Sequence, residues 1–184
     1  MARISSVGGI PPSPQAFQKA MVFVDGTNLF YRLESEKLRV PQLNRLFQPF
    51  VHPRQLVRAY LYTVHQHLEK ARQFHGETFC QGIRIVFGDG IEKKDGNIKE
   101  KGVDALLVAD MIYHAASRNC EYALVVTADT DFVYVLRRVE DFGCRTGILS
   151  ICCEAPSRLV DACDDHYQMD SDYLVTQNMA TRAT

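Results

Sequence analysis

Ala20-Met21-Val22-Phe23-Val24-Asp25-Gly26-Thr27-Asn28 decides the fold. The apolar run suits a strand buried on both faces, and the Asp-Gly-Thr-Asn directly after it supplies a tight turn and a helix cap. A second stretch repeats the pattern: Tyr122-Ala123-Leu124-Val125-Val126-Thr127 leads into Ala128-Asp129-Thr130-Asp131-Phe132. Each reads as strand, turn and helix, with an aspartate just past the strand. In a parallel α/β sheet such strand ends share one carboxyl edge, where ligand sites collect.

The same rhythm extends outward. A helix is expected from about Leu29 to Leu38, and Pro41 to Pro53 reads as a short helix or ordered loop. Leu56 to Val64 reads as a strand, Gln66 to Phe79 as a helix and Ile83 to Phe87 as a third strand. Ile91 to Lys101 is polar, with an Asp95-Gly96-Asn97 turn signal, and reads as an exposed loop or small hairpin. Val103, Leu106, Leu107 and Met111 make a helical stripe running to about Ser117. After the fourth strand come a helix from Phe132 to Asp141, a fifth strand from Cys144 to Ser150 and a last helix from Ser157 to Cys163. Strands alternating with helices at this spacing imply a parallel sheet covered on both faces.

A chain of 184 residues, 46% of them apolar, suits one domain with a proper core. Residues 1–19, with three prolines and two glycines, are expected as a flexible leader, residues 20–170 as the domain, and residues 171–184 as a C-terminal tail. A net charge of −1 excludes a protein that holds nucleic acid by overall charge, so any such contact is local. No apolar stretch reaches the roughly 20 residues of a membrane helix and no signal core is visible, so a cytoplasmic location away from membranes is expected. The six cysteines have no zinc-site spacing and are expected as reduced, mostly buried thiols.

The chemistry lies in the aspartates. Asp25 ends the first strand, Asp129 and Asp131 follow the fourth, and Asp104 opens the long helix. Two carboxylates about 4 Å apart repel by roughly 4 kcal/mol at an effective dielectric of about 20, so a cluster needs a compensating cation. Mg²⁺ or Mn²⁺ suits hard oxygen ligands and keeps waters that can bridge to phosphate. The natural task of such a site is phosphodiester hydrolysis. Asn28 can cap its helix or bind phosphate and metal-bound water, and Thr127 in the second turn, with Lys99 and Lys101 before Asp104, are the candidate substrate contacts.

Each residue also has a purely structural role open to it. Asp25, Asn28 and Asp131 can serve as turn and cap residues, the lysines as a solvated loop, and His65 and His67 as surface side chains. Asp110 falls within the apolar stripe and needs a partner, for which His114 one turn later or the backbone is expected, with a supporting contact behind the acidic site as the alternative. No P-loop, dinucleotide fingerprint or nucleophile elbow is present.

Three ordered motifs now carry a resemblance. Val22-Phe23-Val24-Asp25-Gly26-Thr27-Asn28-Leu29, Lys101-Gly102-Val103-Asp104 continuing to Asp110-Met111, and Val125-Val126-Thr127-Ala128-Asp129-Thr130-Asp131-Phe132 resemble the NYN domain, the LabA-like branch of the PIN nuclease superfamily, over roughly residues 20 to 170. Gly143, the Arg158 to Asp161 region and Asp165-His166-Tyr167 resemble its closing strand and helix. The resemblance implies a PIN-like three-layer α/β/α sandwich with a central parallel sheet, and a nuclease that uses Mg²⁺ or Mn²⁺ to cleave RNA or single-stranded DNA. It places Asp25, Asp104, Asp129 and Asp131 as the acidic set and Asn28 as their polar companion. Ala128 stands where the family often has Gly, and Tyr134 where it often has Pro; neither change removes a ligand.

The expected function is therefore metal-dependent hydrolysis of RNA. The alternative is a non-catalytic RNA-binding or regulatory module that retains the acidic pocket. A haloacid-dehalogenase-like phosphatase, suggested by Asp25-Gly26-Thr27, lacks the second acid at position 27. A homodimer remains open.

Overall fold

The computed structural model describes residues 18–93, 96 and 98–183. Most of the expected leader, residues 1–17, and Asp95 and Asn97 of the expected turn lie outside the described residues.

In chain order the first half comprises β1 (Lys19–Asp25), α1 (Gly26–Ser35), β2 (Leu38–Arg39), α2 (Asn44–Val51), β3 (Gln55–Thr63), α3 (His65–His75) and β4 (Arg84–Phe87). A hairpin follows, β5 (Asp89–Glu92) with β6 (Ile98–Lys101), and then α4 (Val103–Ala116) and β7 (Tyr122–Val126). A 3-10 turn over Thr130–Phe132 leads into α5 (Val133–Asp141), β8 (Arg145–Ile151), α6 (Ser157–Val160), β9 (Asp165–Met169), α7 (Ser171–Thr176) and β10 (Thr181–Arg182).

Six strands form one sheet in the order β4-β3-β1-β7-β8-β9, every ladder parallel. From β1 the chain winds outward through β3 and β4, then returns to the other side of β1 for β7, β8 and β9. The winding direction therefore reverses between β1 and β7, and a crevice at the carboxyl ends of those two strands is the expected ligand site of a doubly wound sheet.

Strand alternation divides the apolar residues between two cores. Ala20, Val22 and Val24 face a layer formed by α1, α2, α3 and α7 through Leu29, Leu33, Phe47, Leu68 and Leu174. Met21 and Phe23 face a layer of α4, α5 and α6 through Leu107, Met111, Leu136 and Leu159. A strand buried on both faces has no place for polar residues, which is why β1 reads as one apolar run. By the same period-2 rule Asp25 belongs to the face that carries α4 and α5.

Val103, Leu107, Met111 and Ala115 recur every fourth residue along α4 and are all buried. Full burial of a side chain such as Leu107 or Met111 stabilises by about 1.5–3 kcal/mol, which fixes the rotation of α4 and with it the direction of Asp104, one step round from Val103. The helix starts from Gly102 at φ 79°, a left-handed conformation that suits glycine. Gly26 is needed for space instead, because a Cβ there would lie 2.5 Å from the carbonyl oxygen of Tyr62 on β3.

Two features differ from expectation. Asp165-His166-Tyr167-Gln168-Met169 is an edge strand, too polar to read as a buried one. Within the segment expected as a C-terminal tail, α7 buries Leu174, Ala180 is buried behind it, and β10 pairs antiparallel with β2 through Thr181–Arg39 and Arg182–Leu38. Backbone pairing across such a sequence distance leaves no local pattern to read. No helix among the described residues is long and apolar enough to cross a membrane.

Candidate active site at the β1/β7 crevice

Asp25 is the last residue of β1, 4% exposed, and N-caps α1: its Oδ1 accepts from the Asn28 backbone N–H at 3.1 Å. Its Oδ2 accepts from the Thr127 hydroxyl at 2.9 Å, at the end of the neighbouring strand β7. The same Thr127 oxygen accepts the Asp129 backbone N–H at 3.1 Å, and Asp129 Oδ1 in turn accepts from the Asp131 N–H at 2.9 Å, capping the 3-10 turn. The capping roles of Asp25 and Asp129 are thus real, and one hydroxyl joins the two strand ends.

Capping bonds and a helix N-terminus ordinarily favour the carboxylate form. At Asp25 they are outweighed. Burial, chiefly, with the nearby charges of Asp104 and Asp129, pushes its carboxyl up to about 6. Asp104 is raised from its ordinary value as well, by burial and then by Asp129, Glu100 and Asp131. Asp104 and Asp129 therefore act on Asp25, and Asp129 and Asp131 on Asp104, across the crevice. Asp25 is buried, Asp129 half-buried, and Asp104 and Asp131 exposed, so the cluster opens to solvent on one side.

The remaining predicted residues are placed differently. Thr127 is buried, its hydroxyl engaged with Asp25 and Asp129 rather than open to solvent. Asn28 is half-buried and contributes its backbone N–H to Asp25. Lys99 and Lys101 are exposed on β6 and point away from Glu100, which alternates with them and faces α1 and α3. The Glu100 side chain accepts from the Thr27 hydroxyl and pairs with His67 Nδ1 at 2.6 Å. The side chain of the basic segment that meets the crevice wall is therefore an acid, and His67, expected as a surface residue, is its partner. Period-2 alternation through Ile98-Lys99-Glu100-Lys101 is the signal that separates Glu100 from the lysines. Asp110 is also corrected: it accepts from the buried Tyr62 hydroxyl at 2.9 Å, while His114 bonds Tyr60 and Asn119.

All the clustered donors are hard carboxylate oxygens, the chemistry that Mg²⁺ or Mn²⁺ selects. Burial chiefly, and their mutual repulsion after it, raise the Asp25 and Asp104 carboxyls, and a divalent ion would relieve the repulsion. Among the described residues no three acidic, His or Cys side chains close up tightly enough to hold an ion by themselves. The donor set fits an ion that retains several waters and few direct carboxylate bonds, as Mg²⁺ commonly does.

The family model for the NYN domain matches residues 19–170. The chain belongs to the NYN domain family. Its motif residues Asp25, Asp104, Asp129 and Asp131 all lie within the match, and NYN domains are in general nuclease-type domains. Among solved structures, a protein of unknown function from Vibrio parahaemolyticus aligns with a TM-score of 0.70 and 21% identity, over 87% of this chain and 98% of that one. That likeness supports the PIN-like α/β/α fold alone. A structure from Parabacteroides merdae aligns over 84% of this chain and 32% of its own with 11% identity, but its TM-score of 0.34 carries no argument. No curated protein matches.

Proposed function

We propose that this NYN domain is a metal-dependent nuclease that hydrolyses phosphodiester bonds of RNA. The observation that carries the reading is Asp25: a buried carboxyl at the switch point of the sheet, raised to about 6, with two more acids acting on it from α4 and from the turn after β7. A capping residue alone needs neither acidic neighbours nor the energetic cost of a buried carboxyl.

In this reading Asp25, Asp104, Asp129 and Asp131 hold Mg²⁺ or Mn²⁺. Bound there, the ion supplies charge to the phosphoryl oxygens and activates water for attack. Asp25 is fixed by the Asn28 N–H and the Thr127 hydroxyl, so it enters the site pre-positioned, while Asp104 and Asp131, being exposed, adjust to the substrate. Thr127 acts through Asp25 as a positioning residue. Lys99 and Lys101, on the outer face of β6, meet flanking phosphates as salt-sensitive contacts, and Asn28, three residues after Asp25, is the neutral phosphate donor on α1.

Incubation of the purified chain with labelled RNA and single-stranded DNA tests the reading, with Mn²⁺, with Mg²⁺ and with chelator. Metal-dependent RNA cleavage lost in both Asp25→Asn and Asp129→Asn, with unchanged circular dichroism, supports it. Undiminished cleavage in both variants rejects the site. RNA binding without cleavage under every metal condition establishes the regulatory alternative.

A further inference from the structure

On the α1/α3 layer a groove of about 640 Å³ runs between the two helices, outside the acidic crevice. Thr27, Tyr31 and Glu34 line it from one turn after another of α1, and His67, Lys70 and Phe74 from α3. Tyr31 is 65% exposed and Phe74 39%, large aromatic surface that a folded domain ordinarily covers. Phe30 and Lys37 also line it, with Ala183 from the segment after β10.

The groove is continuous with the candidate active site. Its upper end is formed by Thr27 and His67, the two side chains that bond Glu100, and Glu100 is one of the charges that raise Asp104. Both helices begin at the carboxyl edge of the sheet, so the groove leads away from the crevice along α1, whose ten residues span about 15 Å.

We propose that this groove holds an unpaired stretch of the RNA on which the site acts; the proposal rests on the nuclease reading and names the form of its substrate. Exposed aromatic faces stack unpaired bases, and interspersed cations track the backbone, which is how single strands are bound without sequence readout. Tyr31 and Phe74 are the stacking faces, and Lys37 and Lys70 the phosphate contacts. Glu34 is the acidic exception on the wall and limits the electrostatic part of the affinity. The bases of a duplex are already stacked and paired, so a double strand offers this groove nothing but phosphate.

The 184-residue chain in chelator, where cleavage is stopped, is titrated against a short end-labelled single-stranded RNA by fluorescence anisotropy. The double variant Tyr31→Ala/Phe74→Ala binds at least about tenfold more weakly, the loss of base stacking, and Lys70→Ala lowers the slope of log affinity against log salt by about 0.7, one phosphate on a single strand. Because the chain contains no tryptophan, Tyr31→Trp places a lone indole in the groove, and single-stranded RNA quenches its emission. Tyr31 and Phe74 are exposed, and unchanged circular dichroism separates lost binding from lost folding. Wild-type affinity in the double variant with an unquenched indole, or equal losses for duplex RNA, overturns the groove. The wild type and the double variant distinguish the two levels: metal-dependent RNA cleavage by the wild type together with wild-type affinity in Tyr31→Ala/Phe74→Ala overturns the groove alone, whereas a wild-type chain that neither binds nor cleaves RNA defeats the nuclease reading itself.

Discussion

The Thr127 hydroxyl donates to Asp25 Oδ2 at 2.9 Å and so ties together the carboxyl ends of the two central strands. Its oxygen also receives the Asp129 N–H, which makes one buried side chain the hinge of both acidic turns. Thr127→Val keeps the shape and removes both bonds. Unfolding in urea is expected to show a loss of about 1–3 kcal/mol, the cost of leaving buried polar groups unpaired, and Thr127→Ser should recover most of it. Loss of the bond to Asp25 also raises that carboxyl further, which carbon-detected NMR titration reads directly.

The raised Asp25 carboxyl sets a pH dependence. Its ordinary value of 3.8 in the unfolded chain becomes about 6 on folding, so between those values the folded state holds a proton that the unfolded state has released. The stabilising contribution is complete below about pH 4 and is lost as pH rises through about 6, to a total of about 3 kcal/mol for a shift of roughly two units. Chelated protein should therefore lose stability from this group between pH 4 and 6, and Asp25→Asn should flatten that portion of the profile and be the more stable variant at pH 7. A stability curve unaffected by Asp25→Asn would contradict the assignment.

Asp110 is held by Tyr62, and its role is separable from that of the crevice. Tyr62→Phe removes the hydroxyl at 2.9 Å while keeping the fully buried ring, and is expected to cost about 1–2 kcal/mol in thermal or urea unfolding. Cleavage per folded molecule should be unchanged.

Gly26 allows β3 to approach the start of α1. The Cβ introduced by Gly26→Ala meets the Tyr62 carbonyl oxygen at 2.5 Å, backbone that cannot swing aside. A loss of about 1–3 kcal/mol is expected, the usual cost of overpacking, and is checked by denaturant midpoint. Because Asp25 precedes the residue that moves, metal-dependent activity should fall more than stability alone explains.

The two turns that build the crevice were legible because each is local: an apolar strand, an aspartate and a cap within a few residues. Burial on both faces made β1 and β7 continuous apolar runs, and the i, i+4 stripe of α4 placed Asp104 beside Val103. What escaped the sequence was non-local or contrary to propensity. Tyr62 as the partner of Asp110 lies 48 residues away in the chain. β9 is a polar edge strand that lacks the apolar signature of its neighbours, whereas α2, with Pro49 inside it, falls within the short helix or loop expected there. Lys99 and Lys101 drew attention as charges, whereas the alternation of β6 turns Glu100, not the lysines, towards α1 and α3. The pairing of β10 with β2 has no sequence signature at all.

The central claim is that the four aspartates form one anionic pocket made tolerable by a divalent ion. Mn²⁺ binding to the full chain, followed by electron paramagnetic resonance at pH 7, tests it most directly. The account predicts saturable binding by the wild type, competed by Mg²⁺, with marked weakening in Asp25→Asn and in Asp129→Asn. Equal Mn²⁺ binding by the wild type and both variants, or none by the wild type, would contradict it.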